Sequence, residues 1–175
     1  MWYDFPKVGE TTMKKKIIET PFGKEMILVS NGEHLIKSDF LYDETSMEVD
    51  VEIPLGEDDV LLDAAEQLEA YFAGRKEAFD LPLLVTGTAF QKKVWDVLQA
   101  IPYGEVLTYK EIARRAGSPK GFRAAGGACR ANHFAIIVPC HRVLSASGAY
   151  TGYAGDKTFM KERLLDFESK EKRLF

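Results

Sequence analysis

The sequence predicts an α+β protein in two parts: a small antiparallel β-sheet with a covering helix over residues 1–85, and a mainly helical domain over residues 86–175 that holds a helix-turn-helix and a reactive cysteine. Three observations predict it. Asn31-Gly32 lies between two β-rich runs, a strong hairpin signal. Thr88 with Gln91, and Thr108 with Glu111, have the spacing of capping boxes and open successive amphipathic runs. The charge also changes sign: residues 1–85 carry 8 Lys/Arg against 19 Asp/Glu, residues 86–175 carry 15 against 8. The formal total of −4 therefore hides a basic half of the kind that meets a polyanion.

From Lys14 to Phe40 the chain reads as strands broken by turns: Lys16 to Thr20, a Pro-Phe-Gly turn, Glu25 to Ser30, and His34 to Phe40. An acidic, irregular stretch follows to Asp59. Val60 to Phe72 places Leu61, Ala64, Ala65, Leu68, Tyr71 and Phe72 at helical spacing, with Gly74 placed to end the helix. Arg75 to Gly87 forms the crossing between the halves. Beyond it, Phe90, Val94, Leu98 and Ile101 give the Thr88 helix its apolar stripe, and Pro102-Tyr103-Gly104 breaks it. The Thr108 helix runs through Ala116 and closes at Gly117. Ser118-Pro119 then reads as an N-cap and first helical position for a second helix, Pro119 to Arg130.

Helix, short turn, helix is the layout of a helix-turn-helix. Its second helix contains Ala124-Ala125-Gly126-Gly127-Ala128, and each glycine there costs about 1 kcal/mol against alanine. Two explanations stand level: close packing on another helix, or close approach to nucleic acid with Lys120, Arg123 and Arg130 meeting phosphates.

The chemistry points to Ile136-Ile137-Val138-Pro139-Cys140-His141-Arg142-Val143. A thiol reacts as thiolate, and a neighbouring imidazole and positive charge are ordinary means of lowering its free pKa of about 8.5. The apolar run reads as a strand that Pro139 ends. Adjacent side chains on an extended segment point to opposite faces, so His141 reaches Cys140 only through a bend or a water. Cys129, in the second helix, reads as packing. Two cysteines make no disulfide scaffold, and three histidines in the chain supply no visible zinc ligand set. No run approaches the ~18 apolar residues of a membrane span, and the N-terminus lacks the pattern of a secretory signal. A cytoplasmic protein without cofactor or metal is expected.

Together these segments resemble the O6-alkylguanine-DNA alkyltransferases, the methylated-DNA–protein-cysteine methyltransferases. The matching pieces are Phe90-Gln91 with Val94-Trp95, Ile101-Pro102-Tyr103-Gly104-Glu105, Thr108-Tyr109, Arg123-Ala124-Ala125-Gly126, Asn132, Pro139-Cys140-His141-Arg142-Val143 and Gly152-Tyr153-Ala154-Gly155. The likeness is specific from Ala89 to Glu168.

The resemblance implies a ribonuclease H-like N-terminal domain and a second helix that enters the minor groove of double-stranded DNA. There Arg123 takes the place of a flipped base and Tyr109 helps rotate it out, flanked by Lys120, Ala124, Gly126 and Arg130. It implies that Glu168 orients His141, which deprotonates Cys140 through a water, and that Asn132 braces the turn before the cysteine. Tyr109 would hydrogen-bond the base; Val143, Tyr153, Ala154, Gly155 and Phe134 would form the pocket. Cys140 would take the alkyl group of O6-alkylguanine, with O4-alkylthymine a second candidate, once per molecule, as a monomer. Departures from the family pattern are His133-Phe134-Ala135, where many relatives carry prolines, and Ala154, where some carry serine. Two other readings compete: a non-catalytic damage-sensing relative, which would replace the cysteine, and a Cys-His hydrolase, for which no oxyanion hole is evident.

Overall fold

The computed structural model describes residues 12–42, 52–149 and 156–173. Three antiparallel strands, β1 (Lys14–Ile18), β2 (Met26–Ser30) and β3 (Leu35–Phe40), pair in sequence order. Lys14 lies opposite Ser30 and Met26 opposite Phe40, with a register shift at Val29/Ser30. Asn31 shapes the β2–β3 connection, its Oδ1 accepting the N–H groups of Glu33 (3.0 Å) and His34 (2.8 Å).

The period-2 alternation sends Met26 and Leu28 to one face and Ile27 and Val29 to the other. Both faces are buried, which is why β2 reads as a continuous apolar run. The first face packs on helix α1 (Asp59–Phe72) through Leu61, Ala64, Leu68 and Tyr71. Asp58 caps that helix, accepting from the Leu61 N–H at 2.8 Å and from the Ser30 hydroxyl at 2.7 Å.

The outer edge of β3 is covered by two later segments rather than left as an exposed strand edge. Leu35 N–H donates to Pro82 C=O (2.7 Å), and Leu84 N–H to Leu35 C=O (2.9 Å). Further along, Ser38 N–H donates to His133 C=O (2.9 Å), and Ala135 N–H to Ser38 C=O (2.8 Å). The N-terminal sheet is thereby joined to the segment that leads into Cys140.

Helix α2 (Ala89–Gln99) carries the expected capping box, with Thr88 and Gln91 each bonded to the other's backbone N–H. Its Trp95 Nε1 donates to Ala128 C=O at 2.9 Å, fixing α2 against the later helix α4 (Phe122–Arg130). Between them, β4 (Leu107–Thr108) leads into helix α3 (Tyr109–Arg115). Strand β4 pairs in parallel with β5 (Val143–Leu144), so the start of α3 lies beside the residues that follow the cysteine. Helix α5 (Asp156–Arg173) turns Met160, Lys161, Leu164 and Glu168 into the protein.

Three expectations are corrected. Helix α4 begins at Phe122, not Pro119, because Gly121 N–H bonds Ser118 C=O (2.8 Å) and closes a turn; no side chain caps the helix. Thr108 does accept from Glu111 N–H (3.2 Å), but Glu111 binds Arg114 and Arg115 instead of reaching back, so only half of a capping box forms. Ile136 to Val138 is not a strand. Ile137 N–H donates to Ala135 C=O (2.9 Å) and Val138 N–H to Phe134 C=O (2.8 Å), a chain of tight turns that puts Ile136 at φ +71°. The run is apolar because it is buried, and it finds local backbone partners in place of a ladder.

Candidate active site and nucleic-acid interface

Cys140 opens a short 3-10 turn, Cys140–Arg142. Three residues per turn separate neighbouring side chains by about 120° instead of the 180° of a strand. Cys140 thus stays partly exposed while His141 and Arg142 are buried. Asn132 holds the turn from behind: its Nδ2 donates to Val138 C=O (2.8 Å) and lies 3.3 Å from Cys140 Sγ, and its Oδ1 accepts Phe134 N–H (2.9 Å). One amide therefore spans both ends of the Phe134 to Val138 segment.

His141 Nε2 lies 2.7 Å from Glu168 Oε1. Arg142 grips the same carboxylate with Nε (2.9 Å) and Nη2 (2.9 Å), and its Nη1 donates to Ile101 C=O (2.7 Å). Tyr71 OH donates to Glu168 Oε1 (2.8 Å). Burial alone would raise the Glu168 carboxyl; His141 and Arg142 outweigh it and hold the group well below the usual carboxylate range. Burial pushes the His141 imidazolium down against the pull of Glu168, so the ring is neutral near pH 7. With Nε2 donating to the carboxylate, Nδ1 carries the free lone pair of a base, and that atom is sealed from solvent without a hydrogen-bond partner.

A cavity of about 80 Å³ adjoins this centre, lined among others by Cys140, His141, Asn132, Cys129, Met160 and Lys161. Tyr109 stands at the first position of α3, its ring 3.9 Å from where a Cβ on Gly126 would sit. Burial, followed by the two thiols, raises its phenol well above the ordinary value, so it is a neutral donor. Lys161, 2 % exposed, points its ammonium at the Tyr109 hydroxyl (3.4 Å) and over its ring (5.5 Å). Burial pushes the Cys129 thiol up to about 12, which suits a packing residue although it borders the cavity.

Lys120, Arg123, Ala124 and Arg130 are exposed, with Gly126 half-buried beside them. Phe134 and Val143 are buried and lie outside the cavity lining. Tyr153, Ala154 and Gly155 fall outside the described residues. Among the described residues no group of three or more His, Cys, Asp or Glu could hold a metal, and no helix is long and apolar enough to cross a membrane. Sequence reasoning missed Lys161 and the Tyr71 hydroxyl, and it read Arg142 as a charge beside the thiol where the structure has it gripping Glu168. The signal for Lys161 was its position two helical turns before Glu168, on the same face of α5.

Comparison with known proteins adds a family to this geometry. Residues 89–170 match the model of the 6-O-methylguanine DNA methyltransferase DNA binding domain, and residues 13–85 that of its ribonuclease-like domain. A methylated-DNA–protein-cysteine methyltransferase of Methanosarcina barkeri is 45 % identical over 157 residues, covering 90 % of this chain and 98 % of that one. The chain belongs to the O6-methylguanine DNA methyltransferase family. Among solved structures of the family, a Mycobacterium tuberculosis O6-methylguanine methyltransferase superposes at TM-score 0.80 with 40 % identity, covering 91 % of this chain and 94 % of the other. A second M. tuberculosis structure, OGT in complex with DNA, gives 0.79 and 39 %, covering 90 % and 94 %.

Proposed function

We propose that this protein repairs DNA by direct reversal, moving the alkyl group of O6-alkylguanine in double-stranded DNA onto Cys140. The observation that carries the reading is Cys140 on a cavity wall with the buried His141–Glu168 pair behind it and the exposed Arg123 helix alongside. Residues 86–175 are taken as the DNA-handling domain and residues 1–85 as its support.

Helix α4 enters the minor groove, Arg123 fills the space of the extruded nucleotide, and Lys120 and Arg130 meet phosphates. On this reading a water bridges His141 Nδ1 and the thiol, both residues lining the cavity. The Cys140 proton passes through that water to His141, as general base catalysis at one remove. The thiolate attacks the O6-alkyl carbon, an S–C bond forms as the C–O6 bond breaks, and the departing guanine anion takes its proton from Tyr109 or water. Lys161, next to the Tyr109 hydroxyl, offsets the charge left there. The product thioether has no neighbour able to hydrolyse it, so each molecule acts once, as a monomer, with no cofactor. The proposed compartment is the cytoplasm.

The test is intact mass with peptide mapping after incubation with duplex DNA holding O6-methylguanine. One methyl per protein, on Cys140, is expected. Cys140→Ala should take none while still binding the lesion. Unmodified wild-type protein bound to the lesion would replace this reading with that of a damage sensor.

A further inference from the structure

Helix α4 is pared down along most of its length: Ala124, Ala125, Gly126, Gly127 and Ala128 leave little beyond backbone. Its first residue is the opposite. Phe122 is 49 % exposed, and the apolar core does not reach it. It lies four positions before Gly126, so the two share a side of the helix. A Cβ on Gly126 would sit 3.9 Å from the Tyr109 ring, which puts Phe122 on the side of α4 that borders Tyr109. The Arg123 guanidinium lies over the Phe122 ring, 5.8 Å from its centroid. An exposed aromatic ring and a stacked guanidinium thus project together from a helix end otherwise cleared for close approach.

We propose that Phe122 is an apolar wedge, inserted in the minor groove of duplex DNA beside Arg123, that holds open the base step the alkylated nucleotide leaves. The proposal rests on the DNA repair reading above and adds a residue to it. Proteins that enter the minor groove insert Phe, Leu, Ile, Met or Pro between base steps, and unstacking is the cost such a ring offsets. Lys120 and Arg123 next to it, and Arg130 at the far end of α4, suit the groove's phosphate walls. Stacking on Phe122 also holds the Arg123 guanidinium ready before contact.

The measurement is single-turnover alkyl transfer by the full chain to three substrates: O6-methylguanine in a duplex, the same base in a single strand, and free O6-benzylguanine. Only the duplex needs a step held open. With Phe122→Ala, the limiting rate on the duplex should fall about tenfold, in line with loss of one base–aromatic stack. The single strand and the free base should react as with wild type. Phe122→Trp should restore the duplex rate. The wedge is overturned if Phe122→Ala matches wild type on the duplex, or if only its half-saturation concentration rises, which is what a plain surface contact would lose. It is also overturned if Phe122→Ala and Phe122→Leu lose all three substrates in parallel, which would make Phe122 a packing residue. Failure of wild type itself to react with the duplex would bring down the repair reading, and the wedge with it.

Discussion

Glu168 is a carboxylate with no exposed surface that accepts from Tyr71, Gly104, His141 and both Nε and Nη2 of Arg142. These donors come from α1, from the turn after α2 and from the cysteine turn, so one side chain ties together distant stretches of chain. A buried charge is tolerated when paired and fully bonded, and removing one partner strands the other at a cost of about 3–5 kcal/mol. Glu168→Gln keeps the shape but replaces one acceptor oxygen with an NH₂ facing groups that already donate, and it leaves Arg142 uncompensated. Denaturant unfolding should show a loss of about 3 kcal/mol or more, and alkyl transfer by folded protein should slow because His141 loses its orienting partner. An unchanged unfolding midpoint would refute this account. Lys161 shows how faint such a signal is at this scale: a lysine among Asp156, Lys157, Glu162 and Arg163 reads as part of a solvated helix face, and its spacing from Glu168 alone hints that it is sealed against Tyr109.

The elements divide by how local their causes are. Thr88 caps α2 with both reciprocal bonds formed, so Thr88→Ala should cost about 1 kcal/mol, seen as a melting temperature lower by about 2–4 °C in a chain of this size. No change in melting would mean that the α2 terminus is held by Trp95 and its neighbours alone. The hairpin, the α1 stripe and stop, the α2 cap and the α3 boundaries were all legible, because each depends on residues within one turn or one strand of itself. The start of α4 was not: Ser118-Pro119 has the composition of a helix start, but Gly121 closes a separate turn there, and a Cβ at Gly121 would meet Ser118 Oγ at 2.5 Å. The strand expected at Ile136 to Val138 failed for a related reason, since an apolar run looks the same whether a ladder or a set of turns buries it. Of the candidate site, Cys140 and His141 were visible from local chemistry. Glu168 and Asn132 came only through resemblance, since their partners lie 27 and 8 residues away.

Two properties belong to the molecule as a whole. His141 and Glu168 both titrate below their unfolded values of 6.5 and 4.5, so in each case the unfolded chain binds the extra proton first as pH falls. Their contribution to stability is complete above about pH 6.5, weakens as His141 of the unfolded chain charges, and is lost further as pH drops below 4.5 toward the folded value of Glu168. Unfolding midpoints against pH should therefore decline on the acid side, and Glu168→Gln should flatten the lower part of that decline; a wild-type profile that rises with acid would have the sign wrong. The division of charge, acidic in residues 1–85 and basic in residues 86–175, makes a second prediction. Lys120, Arg123 and Arg130 stand exposed at α4 and the turn before it, and on the proposed reading they supply the phosphate contacts. Each phosphate neutralised releases condensed counterions, so log K for duplex binding should fall linearly with log salt, by about 0.9 per contact. Lys120→Gln should then reduce the magnitude of that slope by about 0.9 and weaken binding to undamaged and alkylated duplex alike, because a phosphate contact carries no information about the base. A Lys120→Gln protein with the wild-type slope would place Lys120 off the backbone and leave Arg123 and Arg130 to carry the electrostatics of the interface.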